Sequence, residues 1–90
     1  MAALDLLGRR WALRVLWELR VGPQGFRELR DRCDGMSSSV LRDRLVELGE
    51  AGLVGRDDEQ RYLLTQLGAD LREAIAPLDR WAKEWARSMR

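Results

Sequence analysis

The chain has no histidine, a single cysteine, a single lysine and two prolines among its 90 residues. Without an imidazole, Ser-His-Asp triads and Cys-His dyads cannot be built, and one thiol is too few for a zinc site. One cysteine also excludes a disulfide framework within the chain. No apolar run approaches the ~18–20 residues that a bilayer-spanning helix requires, so no membrane contact is expected. The opening Met1-Ala2-Ala3-Leu4-Asp5 lacks the basic and long apolar segments of a secretory leader. A cytoplasmic location is therefore expected. The acids are scattered over helix surfaces with no constellation suited to proton transfer. Catalytic residues, metal ligands and cofactors are not expected, and the chain reads as a binding module.

What remains is a globular balance of 46% apolar and 34% charged residues. Ninety residues suffice for one domain, 1–90, burying about 60–65% of its unfolded surface. The formal charge is only +1, but it is unevenly spread. Residues 1–33 hold seven arginines against four acids, residues 34–60 three against seven, and residues 61–90 six bases against four acids. Any contact with nucleic acid must be local.

Periodicity predicts four helices and a hairpin. Ala12, Val15, Leu16 and Leu19 form a 3.6-period stripe in a helix over 9–20. Trp11, Leu13 and Trp17 make its other sides apolar too, as in a helix buried on more than one face. Gly22-Pro23-Gln24-Gly25 stops it. A helix over 26–33 follows, with Phe26, Leu29 and Cys33 inward and Gly35 suited to a left-handed cap. Ser37-Ser38-Ser39 offers N-caps for a helix over 37–50 with the stripe Leu41, Leu45 and Leu48. Residues 53–64 read as two short strands around Asp57-Asp58-Glu59-Gln60. The apolar pattern Leu67, Leu71, Ile75, Leu78, Trp81 (or Ala82), Trp85 and Met89 predicts a long helix over 66–88; Pro77 should kink or break it. The fold class is α+β and mostly helical: a winged helix-turn-helix with a short β-hairpin wing and a long C-terminal helix. The 26–33/37–50 pair is the helix-turn-helix, with 37–50 as recognition helix.

Particular residues carry a closer resemblance. Leu7-Gly8-Arg9-Arg10-Trp11, Gly22-Pro23 with Phe26-Arg27-Glu28-Leu29, and Ser37, Leu41, Arg44-Leu45 fall in order along the chain. So do Leu48, Gly52-Leu53-Val54-Gly55-Arg56, then Tyr62-Leu63-Leu64-Thr65, Gly68 and Trp81. This ordered set resembles HxlR-type transcriptional regulators over roughly residues 4–85. The resemblance implies a bacterial or archaeal homodimer that binds a pseudo-palindromic operator in double-stranded DNA. Compared with that pattern, the wing is short and its tip acidic, and Gly25 replaces an arginine. The cysteine that redox-sensing members carry before the first helix is absent.

Several residues are candidates for DNA contact. Arg42 faces away from the leucine stripe and suits guanine O6/N7. Ser37, Ser38 and Ser39 offer hydroxyls and backbone N–H groups to a phosphate at a helix N-terminus. Arg27 and Arg30 lie on the preceding helix, where a backbone phosphate would pass. Arg56 and Arg61 flank the wing, either entering a groove or neutralising Asp57, Asp58 and Glu59. Asp43 could accept from cytosine N4 but is expected rather to pair with a neighbouring arginine, and Arg44 with Glu28.

All four tryptophans, Trp11, Trp17, Trp81 and Trp85, lie on the first or last predicted helix. Each covers ~150–250 Å², more than so small a core can absorb four times. They serve as core, as a ligand pocket, or as a dimer seam comprising Leu4, Leu7, Trp11, Leu78, Trp81, Trp85 and Met89. A small-molecule effector has no support beyond those rings. Cys33 should be a buried, inert thiol. The competing function is a winged-helix module that binds a protein partner, suggested by the acid surplus over 34–60.

Overall fold

The computed structural model describes residues 2–89. A six-residue helix, α1 (Ala2–Leu7), opens it; so short an element leaves too few turns for a periodic signal. Next come α2 (Ala12–Glu18), a 3-10 turn over Leu19–Val21, α3 (Phe26–Arg32) and α4 (Ser38–Glu50). Strands β1 (Val54–Arg56) and β2 (Tyr62–Leu64) precede α5 (Gln66–Ser88).

Two expectations about helix extent need correction. The helix predicted from Arg9 begins only at Ala12, because Trp11 takes left-handed φ 78° and Arg9 and Arg10 fall in the turn before it. That conformation is strained for a bulky residue and persists only where its surroundings impose it. Here the Trp11 ring packs on the core and carries the Arg10 guanidinium 5.6 Å from its centroid. The break considered at Pro77 does not occur, for α5 runs through it from Gln66 to Ser88. Proline removes the one donor that would reach the Glu73 carbonyl. Glu73 and Pro77 are both exposed, so water can take that carbonyl.

The core joins Val15, Leu16 and Leu19 to Leu29, Cys33 and Met36, then to Leu41, Leu45, Leu48, Leu53 and Val54. Thus the three-leucine stripe of α4 is clamped between α2, α3 and the hairpin. The strands pair antiparallel, Val54 with Leu64, Gly55 with Leu63 and Arg56 with Tyr62. Gln24 adds a bridge to Tyr62, its N–H donating to the Tyr62 carbonyl at 2.9 Å and its carbonyl accepting at 2.7 Å. The base of the wing is therefore tied to the chain just before α3.

One junction explains the Gly-Leu…Thr-x-x-Gly pattern. Gly52 turns the chain out of α4 at φ 80°, a left-handed value that suits glycine. The Thr65 hydroxyl donates to the Gly52 carbonyl at 2.6 Å and accepts from the Gly68 N–H at 3.1 Å, capping α5. A Cβ on Gly68 would lie 2.2 Å from the Leu53 carbonyl oxygen. Only glycine lets α5 leave the hairpin so closely.

Candidate nucleic-acid interface

The α3–turn–α4 unit is held by polar bonds at both ends. Glu28 accepts from the Gly25 N–H at 3.1 Å at the start of α3. Ser37 caps α4, its Oγ accepting from the Val40 N–H at 3.2 Å. Arg30 donates to Ser38 Oγ at 3.0 Å and thereby links the last turn of α3 to the first turn of α4. The outward face of α4 presents Ser39, Arg42, Asp43, Val46, Gly49 and Glu50, all exposed. Its positive N-terminal end is surrounded by the Ser37, Ser38 and Ser39 hydroxyls, Ser37 and Ser39 being exposed.

The arginines divide by what holds them. Arg42 lies with its guanidinium 5.0 Å from the centre of the Phe26 ring and, among the described residues, makes no ion pair. Arg27 is exposed and likewise forms no ion pair with a described residue. On the wing, Arg56 stacks 4.4 Å from the Tyr62 ring centre and donates to the Tyr62 hydroxyl. Arg61 behaves differently: its Nε is 2.9 Å from Asp57 Oδ2 and 3.7 Å from Glu59 Oε2. Asp57 also accepts from the Glu59 and Arg61 backbone N–H groups, both at 2.9 Å. These bonds, led by the Arg61 backbone, hold the Asp57 carboxyl below its ordinary pKa, and Asp57 in turn raises that of Arg61.

Two expected pairings are not formed. Glu28 is occupied at Gly25, so Arg44 instead lies 3.2 Å from Glu47 and donates to the Arg10 carbonyl at 3.3 Å. Glu47 is one turn away on the same helix, a shorter reach than α3. Asp43 faces solvent with no ion pair among the described residues. The acid surplus of residues 34–60 is partly cancelled from outside that stretch. Arg9 approaches Glu47 at 3.6 Å, and Arg61 takes Asp57 and Glu59. Between α4 and the wing lies an open groove of about 570 Å³, lined by Arg42, Val46, Glu50, Arg56 and Tyr62 among others.

The predicted seam residues separate into two groups. Leu4, Leu78, Trp81, Trp85 and Met89 are exposed, and Trp81 and Trp85 stack with centroids 6.2 Å apart. Leu7 and Trp11 instead turn inward and pack on the core. Trp17 is half-buried with the Arg20 guanidinium 4.1 Å from its ring centre. Cys33 is fully buried; burial above all pushes its thiol pKa up, Glu18 and Asp34 add to this, and Arg14 opposes it. Sequence reasoning overlooked Tyr62 as a platform for Arg56, and it overlooked Val46 and Gly49 on α4. The available signal was that both of the latter fall off the leucine stripe.

Two helices across a short turn, a core-locked second helix with a polar outward face, and a hairpin beside it define a winged helix-turn-helix protein. The chain belongs to the HxlR-like helix-turn-helix family, whose pattern matches residues 6–90. It is 34% identical over 89 residues to YvaP of Bacillus subtilis, an HTH-type transcriptional regulator, spanning 92% of this chain and 82% of that one. A crystal structure of a possible HxlR family transcriptional factor from Thermoplasma volcanium superposes with TM-score 0.87 at 30% identity, covering 94% and 82% of the two chains. Quinone-bound YodB from B. subtilis superposes with TM-score 0.83 at 31% identity over 92% of each chain. The function that accompanies this membership is DNA-binding regulation of transcription.

Proposed function

We propose that the chain regulates transcription in the cytoplasm as a homodimer that reads a specific DNA sequence with α4 in the major groove. The observation that carries this is Arg42: one turn inside a serine-capped helix, exposed, and resting on Phe26 rather than on a carboxylate. A guanidinium held by a ring keeps its charge and its donors available for guanine O6/N7. Ser37, Ser38 and Ser39 meet a phosphate at the α4 N-terminus, and Arg27 and Arg30 meet the backbone beside it. Arg30 also fixes the angle between the helices through Ser38. On the wing, Arg56 is the stronger candidate for DNA contact, because Arg61 is engaged by Asp57 and Glu59.

Two copies join through α1 and α5, with Leu4, Leu78, Trp81, Trp85 and Met89 buried between them. A two-fold axis there sets the recognition helices roughly 34–36 Å apart, one DNA turn, and makes the operator pseudo-palindromic. This work needs neither catalysis nor a metal or cofactor. The quinone belongs to YodB; Cys33 here is buried, and burial pushes its thiol pKa up, away from the reactive form.

The test is titration against duplexes enriched from a randomised pool, at 50 and 200 mM salt. With 6–10 phosphates neutralised, affinity should fall by about 10³–10⁵ between them. Absence of binding at low salt would favour a protein partner instead. That second reading rested on the acids of residues 34–60, and three of them are already paired: Glu47, Asp57 and Glu59.

A further inference from the structure

We propose that Val46 reads the methyl group of a thymine in the major groove, and that Gly49 allows α4 to approach closely enough for that contact. The proposal rests on α4 being the DNA reader and adds a specificity residue to it. Both residues are anomalous as parts of a helix. Val46 is 54% exposed on the outward face, where a β-branched side chain loses rotamer freedom and gains little packing. Gly49 lies three residues further on the same face, in the last turn of α4, where glycine still costs backbone entropy relative to alanine.

Neither is required by the fold. Gly49 does not have a left-handed φ, and a Cβ there would meet only the Val54 carbonyl oxygen at 3.8 Å, an ordinary contact. Alanine would fit. By contrast, a Cβ on Gly68 meets a backbone oxygen at 2.2 Å. Two helix-weakening residues without a structural need share the face that carries Arg42. Val46 is one helical turn beyond Arg42, about 6 Å along the axis, or roughly two base-pair steps. Its branched methyls suit the C5-methyl of thymine, the apolar feature of the major-groove edge. A missing Cβ at Gly49 removes bulk beside it, as glycine does where a backbone must come close.

The experiment enriches duplexes from a randomised pool with the full chain, then replaces each selected thymine by deoxyuridine, which lacks only the methyl. For the wild type, one thymine per half-site, within about two steps of the guanine lost in Arg42→Ala selections, should matter. Its replacement should weaken binding about three- to fivefold, the effect of exposing one methyl group. Val46→Ala should bind thymine and uracil duplexes alike, and Val46→Ile should restore the discrimination. Gly49→Ala should melt a few degrees higher and yet bind every duplex more weakly. Unchanged wild-type affinity for every uracil duplex would overturn the proposal while leaving α4 as reader. So would discrimination that survives Val46→Ala, or undiminished binding by Gly49→Ala. Failure to enrich any duplex would overturn the DNA-reading function itself.

Discussion

The α3–α4 unit and the C-terminal half of α5 are both exposed, but they are finished in opposite ways. On α3–α4 three polar groups have defined positions: Ser37 caps, Arg30 holds Ser38, and Arg42 lies on Phe26. Beyond Pro77, the large apolar side chains Leu78, Trp81 and Trp85 of α5 and Met89 at its C-cap all remain open to solvent. The first surface is complete within one chain and awaits a charged ligand. The second stays open to water, and its aromatic and aliphatic stripe would gain stability by burial against a second copy, as the proposed dimer requires. Exposure alone therefore says little about function, and the chemistry of the exposed groups distinguishes the kind of partner each surface suits.

The contrast breaks most severely if α5 is not a seam. Trp85→Asp should turn the proposed dimer into a monomer by sedimentation, weakening association by at least ~2 kcal/mol as central aromatic anchors do. Helix content should stay near wild type. A wild type that sediments as a monomer at micromolar concentration would remove the distinction altogether. Next in size, Gly68→Ala should destabilise the fold by about 1–3 kcal/mol, since the new Cβ can be accommodated only by shifting α5 away from Leu53. Thermal melts would register it, and an unchanged melting temperature would show that α5 is not seated so tightly.

On the polar side, Arg42→Ala should cost about 1–3 kcal/mol of operator affinity and relax preference at one base, with folding stability unchanged. Arg27→Ala should weaken all duplexes evenly and lower the salt slope by about one. Equal effects of both substitutions on specificity would contradict a division between base reading and phosphate contact. The smallest effect is expected at the wing. Because the Asp57 carboxyl is held below its ordinary pKa, its bonds contribute fully above the usual carboxylate range. They are lost as pH falls through the depressed value, so the exchange protection factors of the Glu59 and Arg61 amides, corrected for intrinsic rate, should drop only there. Loss of protection beginning near neutral pH would show that Asp57 does not hold the turn.

Much of the fold class was legible because it depends on short-range pattern. The Leu41, Leu45 and Leu48 spacing identifies a buried face, and the glycines and serines around it mark where helices stop and start. The site was less legible. Arg44 and Glu28 looked complementary, yet Glu28 closes the start of α3 and Glu47 is the nearer carboxylate. Arg56 and Arg61 flank the same turn, but only the second is neutralised. Such choices depend on competition among partners that no spacing rule ranks.

By itself, then, the sequence determined the exclusions and the periodic elements. A chain without histidine cannot assemble an imidazole site, and a stripe of leucines every third or fourth residue must find an apolar cover. Tertiary structure alone decided the left-handed turn at Trp11, the rest position of Arg42 on Phe26, and the exposure that sets Val46 and Gly49 apart. The physical reason is range. Helix periodicity is decided within a few residues, whereas a side chain's surroundings are decided by segments that meet only after the chain has folded.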